Sequence, residues 1–154
     1  MKIAETLKKE LILPSLAAQN KVDCLMEFAQ TVAKNSPNLK KDEVAHTLLE
    51  REKLGSTGIQ DGVAIPHGKF KALAQMIVLF GRSLQGIDFQ SFDNKPTHLF
   101  FVLLAPEKAT SEHLKLLARL SRLLKKQTLR EELLQAKDAE SIYQILCEED
   151  KTLA

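Results

Sequence analysis

The sequence predicts a single α/β domain in which a central β-sheet is covered by helices on both faces. Three observations carry that prediction. Two continuous apolar runs, 76–80 and 99–104, fall mid-chain, and a strand that is apolar at every residue is one buried on both sides. Helical apolar spacing precedes and follows them, so helices are available for each face. No linker, low-complexity stretch or internal repeat divides the 154 residues, a length that suits one domain with a real core.

Taken in order, Leu11, Ile12 and Leu13 form a short first strand that Pro14 stops. Val22, Leu25, Met26, Ala29, Val32 and Ala33 recur at helical spacing; Asn20 is the expected N-cap and Pro37 closes the region. A second helix is expected over about 41–52, ending at Gly55. Val63, Ala64 and Ile65 make a short strand between Gly62 and Pro66, followed by the two apolar runs. The last third is helical: Ser111 is expected to cap a Leu-rich helix, Thr128 and Glu131 to form a capping box, and Asp138 to cap a final helix carrying Ile142, Ile145 and Leu146.

Composition excludes several function classes. Lys and Arg number 22 against 20 Asp and Glu, a net charge of +2. The basic residues occur as scattered pairs (Lys8-Lys9, Lys40-Lys41, Lys125-Lys126) that read as solvated faces, so no nucleic-acid partner is expected. Cys24 and Cys147 have no ligand spacing and read as small buried hydrophobes in a reducing compartment. No signal peptide is evident and the apolar run 99–105 is too short to span a bilayer. A cytoplasmic protein without membrane insertion is expected.

The chemistry concentrates in 51–69. Gly55, Gly58 and Gly62, half of the chain's six glycines, lie between a helix and a strand. Such a loop permits close backbone approach to a ligand and can turn several N–H groups toward an anion. His67 follows the short strand between Pro66 and Gly68; proline restricts the approach and glycine leaves one side of the imidazole free. A lone histidine is more often structural than reactive, and several familiar chemistries fail on the residues. A phosphate-binding P-loop fails because position 63 is valine where glycine is required and Phe70 replaces the Ser or Thr. There is no G-x-S-x-G, no H-E-x-x-H, and His46, His67, His98 and His113 lack metal-ligand spacing.

The run Gly55-Ser56-Thr57-Gly58-Ile59, then Asp61-Gly62-Val63-Ala64-Ile65-Pro66-His67-Gly68-Lys69, resembles the signature of enzyme IIA proteins of the bacterial phosphotransferase system. The likeness is to the fructose and mannitol branch, most closely its nitrogen-type regulatory member. It extends to Phe92-Asp93 through Pro96, the strand at 99–106 and His113-Leu114; Gln60 departs from the family's usual glycine. The resemblance implies a mixed central sheet and one EIIA type-2 domain over 1–154. It also implies that His67 accepts a phosphoryl group from a phosphohistidine (HPr-like) carrier protein, on Nε2 if Nδ1–H donates to a backbone carbonyl. His113 and Arg51 match the family's other two active-site residues.

These side chains suit such chemistry. Imidazole with a pKa of about 6.5 is largely unprotonated near neutrality and offers a lone pair. His113, just inside a helix start, would feel the positive end of the dipole and stay neutral. A guanidinium at Arg51 can bind phosphoryl oxygens through two parallel hydrogen bonds; otherwise Arg51 is one member of a charged cluster with Glu50 and Glu52. Ser56, Thr57 and Gly68 are candidates for phosphate contact or loop support, and Lys69 for docking a partner. No cofactor or metal is implied. Three functions compete: a regulatory phosphocarrier whose state alters partner proteins, a free-standing permease subunit that passes phosphate to a IIB protein, and a non-catalytic binding module. The absence of a fused sugar-specific or membrane segment favours the first, and the joint presence of His67, Arg51 and His113 speaks against the third.

Overall fold

The computed structural model describes residues 2–153; Met1 and Ala154, the ends of the expected 1–154 domain, lie outside them. After a 3-10 turn at Ile3–Glu5 come β1 (Leu7–Leu13), α1 (Lys21–Asn35), α2 (Lys41–Lys53), β2 (Val63–Ala64), β3 (His67–Phe70), β4 (Ile77–Ile87), β5 (Thr97–Pro106), α3 (Thr110–Leu124), α4 (Gln127–Gln135) and α5 (Ala139–Lys151). The sheet is mixed. Its order is β1-β4-β5-β2, with β3 also on β5. β4 and β5 are antiparallel (Phe80 opposite Phe101), while β1 runs parallel to β4 and both β2 and β3 run parallel to β5. β2 and β3 are thus two segments of one edge, interrupted at Ile65-Pro66, where Pro66 still accepts the N–H of Leu103 at 2.9 Å.

The two faces are read from the aromatic residues. Phe28 of α1 packs against Phe100 (centroids 6.0 Å apart), and Phe89 against the same ring (5.2 Å). Phe101, next along β5, points the opposite way to Phe80 at 5.2 Å, as the two-residue period of a strand requires. Helices α1 and α2 cover the Phe100 face, and α3 to α5 cover the Phe101 face. Gly81 stands opposite Phe100, and a Cβ there would sit 2.3 Å from Cζ of Phe28. Gly81→Ala is therefore expected to force Phe28 out of its rotamer and cost about 1–3 kcal/mol, measurable by urea denaturation.

Two helix starts follow the sequence. Asn20 accepts the N–H of Asp23 at 2.9 Å and Asp138 that of Ser141 at 2.9 Å, each satisfying a free donor of the first turn. Two others do not. α3 is entered through Ala109, not Ser111, because a turn from Pro106 to Ala109 delivers the chain into helix two residues earlier. α4 begins at Gln127, so Thr128 lies inside it and makes no capping box; Glu131 instead accepts from Gln127 Nε2 at 3.1 Å. Val22, counted with the core stripe of α1, is exposed. Of the two free cysteines Cys24 is buried, with its thiol pKa pushed up by burial, whereas Cys147 is only half-buried.

β3 is the element the sequence did not announce. As an edge strand it needs hydrogen bonds on one side only, and His67, Gly68 and Lys69 give it no apolar run to detect. Its register sets the site. His67 and Lys69 face α3, while Gly68 and Phe70 face α2.

Candidate phosphoryl-acceptor site

His67 opens β3 opposite Leu103 and is half-buried. Its Nδ1 lies 2.8 Å from the carbonyl oxygen of Ile65. A carbonyl only accepts, so Nδ1 carries the proton and Nε2 the lone pair. That lone pair is met by Nε–H of Arg51 at 3.3 Å, and Nη1 of Arg51 donates to the Gly55 carbonyl at 2.9 Å. The guanidinium reaches the ring from the last turn of α2. Burial holds the His67 pKa below the ordinary value, and the Arg51 charge adds to this; the Ile65 hydrogen bond opposes both. A lowered pKa favours the neutral ring.

His113 arrives from 46 positions further along the chain. It lies in the first turn of α3 with its N–H bonded to Ala109, and its ring meets that of His67 edge-on, centroids 5.3 Å apart at 80°. The ring is buried and its Nε2 has no hydrogen-bond partner among the described residues. Burial first, then the neighbouring His67 and Lys69, push its pKa down to about 4. A buried polar atom without a partner is costly, and this nitrogen is free to bond an incoming polar group. Lys69, on the same face of β3, donates from Nζ to Oγ1 of Thr110 at 3.1 Å. Lys53 is spent on Glu50 at 2.8 Å.

His113 also makes stability depend on pH, with a definite sign. Unfolded, it takes up a proton near 6.5; folded, only near 4. Between these values the unfolded state binds more protons, so stability falls as pH drops through the window and is unaffected by this group above it. His113→Gln is expected to flatten the fall between pH 6.5 and 4 by up to one proton's worth of slope, read from urea unfolding at several pH values.

The glycine loop holds itself rather than presenting an open nest. The N–H of Gly55 goes to the Glu52 carbonyl, that of Thr57 to the Glu52 carboxylate, that of Gly58 to Ser56 Oγ, and that of Ile59 to the Val63 carbonyl. These four donors are engaged, which corrects the expectation of several N–H groups turned toward an anion. The hydroxyls are engaged as well: Ser56 donates to the Phe89 carbonyl at 2.9 Å and Thr57 makes a short bond to Glu52. Gly68 does not clear space for a partner beside the imidazole. A Cβ on it would meet Thr47 Cγ2 at 3.0 Å, so its bareness lets α2 approach β3. Gln60 keeps an ordinary backbone, and the left-handed residues beside it are Asp61 (φ 67°) and Gly62 (φ 74°).

Glu52 was missed by sequence reasoning, which named it only as a neighbour of Arg51 in a charged cluster with Glu50. It is 5% exposed. The signal was present: Val44, Leu48 and Glu52 are four apart, so Glu52 continues the buried stripe of α2.

The family described as "Phosphoenolpyruvate-dependent sugar phosphotransferase system, EIIA 2" matches residues 5–149. A nitrogen regulatory protein of Bradyrhizobium diazoefficiens is 43% identical over 146 residues, 95% of each chain. The fructose-specific EIIABC component of Bacillus subtilis is 36% identical over 151 residues, 98% of this chain and 24% of that one. The crystal structure of nitrogen regulatory protein IIA-Ntr from Neisseria meningitidis superposes with a TM-score of 0.87 at 36% identity, covering 94% of this chain and 98% of that one. No helix among the described residues is long and apolar enough to cross a membrane. With 145 of its residues matched and relatives aligned over nearly its full length, the chain belongs to the EIIA type-2 family of the phosphoenolpyruvate-dependent sugar phosphotransferase system.

Proposed function

We propose that this chain, acting as one domain in the cytoplasm, is a phosphocarrier of the nitrogen type, accepting a phosphoryl group on Nε2 of His67 from a phosphohistidine carrier protein and altering partner proteins according to its state. The observation that carries this is the pinned ring: Nδ1–H on the Ile65 carbonyl, and Nε2 facing a guanidinium with a second neutral imidazole 5.3 Å away. The transfer is balanced simply. Nε2 forms a bond to phosphorus as the donor's P–N bond breaks, and the donor nitrogen regains its electron pair. Nδ1 keeps its proton, and the Ile65 carbonyl stabilises the positive ring that results. Arg51, its N–H released from Nε2, turns to the phosphoryl oxygens, and His113 supplies a donor on the other side. Two fixed donors and a positioned nucleophile suffice in principle for transfer between imidazoles.

The regulatory part rests on the similarity to nitrogen regulatory proteins and on charge. Phosphorylation adds about two negative charges beside Arg51 and Lys69. A modification shifts a partner only if it binds the two states differently, and a useful difference is about five- to 150-fold in affinity. Proteins captured with His67→Ala and with the phosphorylated chain, then titrated by calorimetry, are expected to show that difference. If every partner binds both states equally, the regulatory reading fails. The second reading, favoured by the fructose-specific relative, then stands: a permease subunit that passes the group to a IIB protein, seen as loss of phosphate from His67 on adding that acceptor.

A further inference from the structure

The last turn of α2 carries two adjacent charged residues with opposite fates. Arg51 reaches out to the ring of His67, while Glu52 turns inward until its side chain is 1% exposed. A buried carboxylate survives only where partners replace its water, and four contacts do so here. Lys21, the first residue of α1, lies 3.1 Å from Oε1 and rests on the ring of Phe89 at 4.8 Å. The Thr57 N–H donates to both oxygens, at 3.1 and 3.3 Å, and the Thr57 hydroxyl donates to Oε2.

Thr57 then leads to the acceptor. Its carbonyl takes the N–H of Ile65 at 3.2 Å, and the Ile65 carbonyl takes Nδ1–H of His67 at 2.8 Å. One helical turn therefore addresses both nitrogens of the imidazole, Arg51 at Nε2 directly and Glu52 at Nδ1 through Thr57 and Ile65. We propose that Glu52 is a positioning residue for phosphoryl transfer, fixing through Thr57 the Ile65 carbonyl that holds His67 in its Nδ1–H tautomer with the lone pair on Nε2. This rests on the reading of His67 as the acceptor. A loose Ile65 carbonyl would let the proton pass to Nε2, and a ring protonated there has no lone pair to offer the phosphorus.

The experiment uses the full chain with Glu52→Gln, and a Lys21→Met, Glu52→Gln double variant in which no ammonium is stranded. Nitrogen-15 labelled histidine spectra report the His67 tautomer, and time courses with a phosphorylated carrier protein report the rate. In both variants the His67 signals are expected to move from the Nδ1–H form to a mixture. kcat should fall about ten- to hundred-fold, the scale of a small misplacement of reacting groups, with KM for the carrier unchanged. Thr57→Val, which removes the hydroxyl at nearly constant volume, should move both readouts the same way and decides the matter if the other two do not fold. A lowered melting temperature with an unchanged tautomer would make Glu52 purely structural and overturn the proposal. The tautomer is read without any transfer, so its failure stays separate from that of the acceptor assignment, which falls only if His67→Ala still takes the phosphoryl group.

Discussion

His67→Ala is expected to fold as the parent does and to accept no phosphoryl group. The fold survives because the His67 ring is half-buried at a sheet edge, outside the aromatic layers of Phe28, Phe100, Phe80 and Phe101 that fill the core. The strand survives as well, since β3 is held by backbone bonds to β5. Function does not survive, because the one lone pair framed by Arg51 and His113 is gone. His113 cannot take its place: its Nε2 is buried and has no hydrogen-bond partner among the described residues. Intact mass after incubation with a phosphorylated carrier measures this directly. A full-strength phosphoryl adduct on His67→Ala would remove His67 from the mechanism and return Arg51 and His113 to structural roles.

Arg51→Ala is expected to slow transfer by about 10²–10³ without abolishing it, the usual loss when one donor to a charge-bearing transition state is removed. The side chain holds two positions at once, Nε on His67 and Nη1 on the Gly55 carbonyl. The alanine variant thus loses both a charge and a brace on the loop. Arg51→Lys separates the two. An ammonium restores charge but not the planar fork, so it should recover only part of the rate. Quenched-flow transfer assays give both numbers. Wild-type rates in both variants would leave Arg51 as a helix-end residue whose bond to His67 has no chemical consequence.

Much of this protein is written locally in the chain. The caps Asn20 and Asp138 mark helix starts because a short polar side chain reaches an N–H three residues on. The runs 76–80 and 99–104 mark the central strands because no solvated element can be apolar at every residue. The run 51–69 marks the family, and it gathers the imidazole, the guanidinium and the glycine loop into one short stretch of chain.

The rest required the fold. β3 exists because β5 offers a free row of donors and acceptors, and a four-residue edge strand carrying Gly68 and Lys69 has no pattern of its own. That His113 stands 5.3 Å from His67 depends on α3 crossing the face of the sheet toward which the odd positions of β3 point, a matter of register that sequence spacing does not contain. The hydroxyls of Ser56 and Thr57 found partners at Phe89 and Glu52, so they brace the turn, one of the two roles, phosphate contact or loop support, that the residues alone left open. Glu52 shows why. A carboxylate at the end of a charged helix is a surface residue by composition and a buried one by its place four residues after Leu48. Only the packed structure decides between the two, because only there do Lys21 and Thr57 arrive to replace its water.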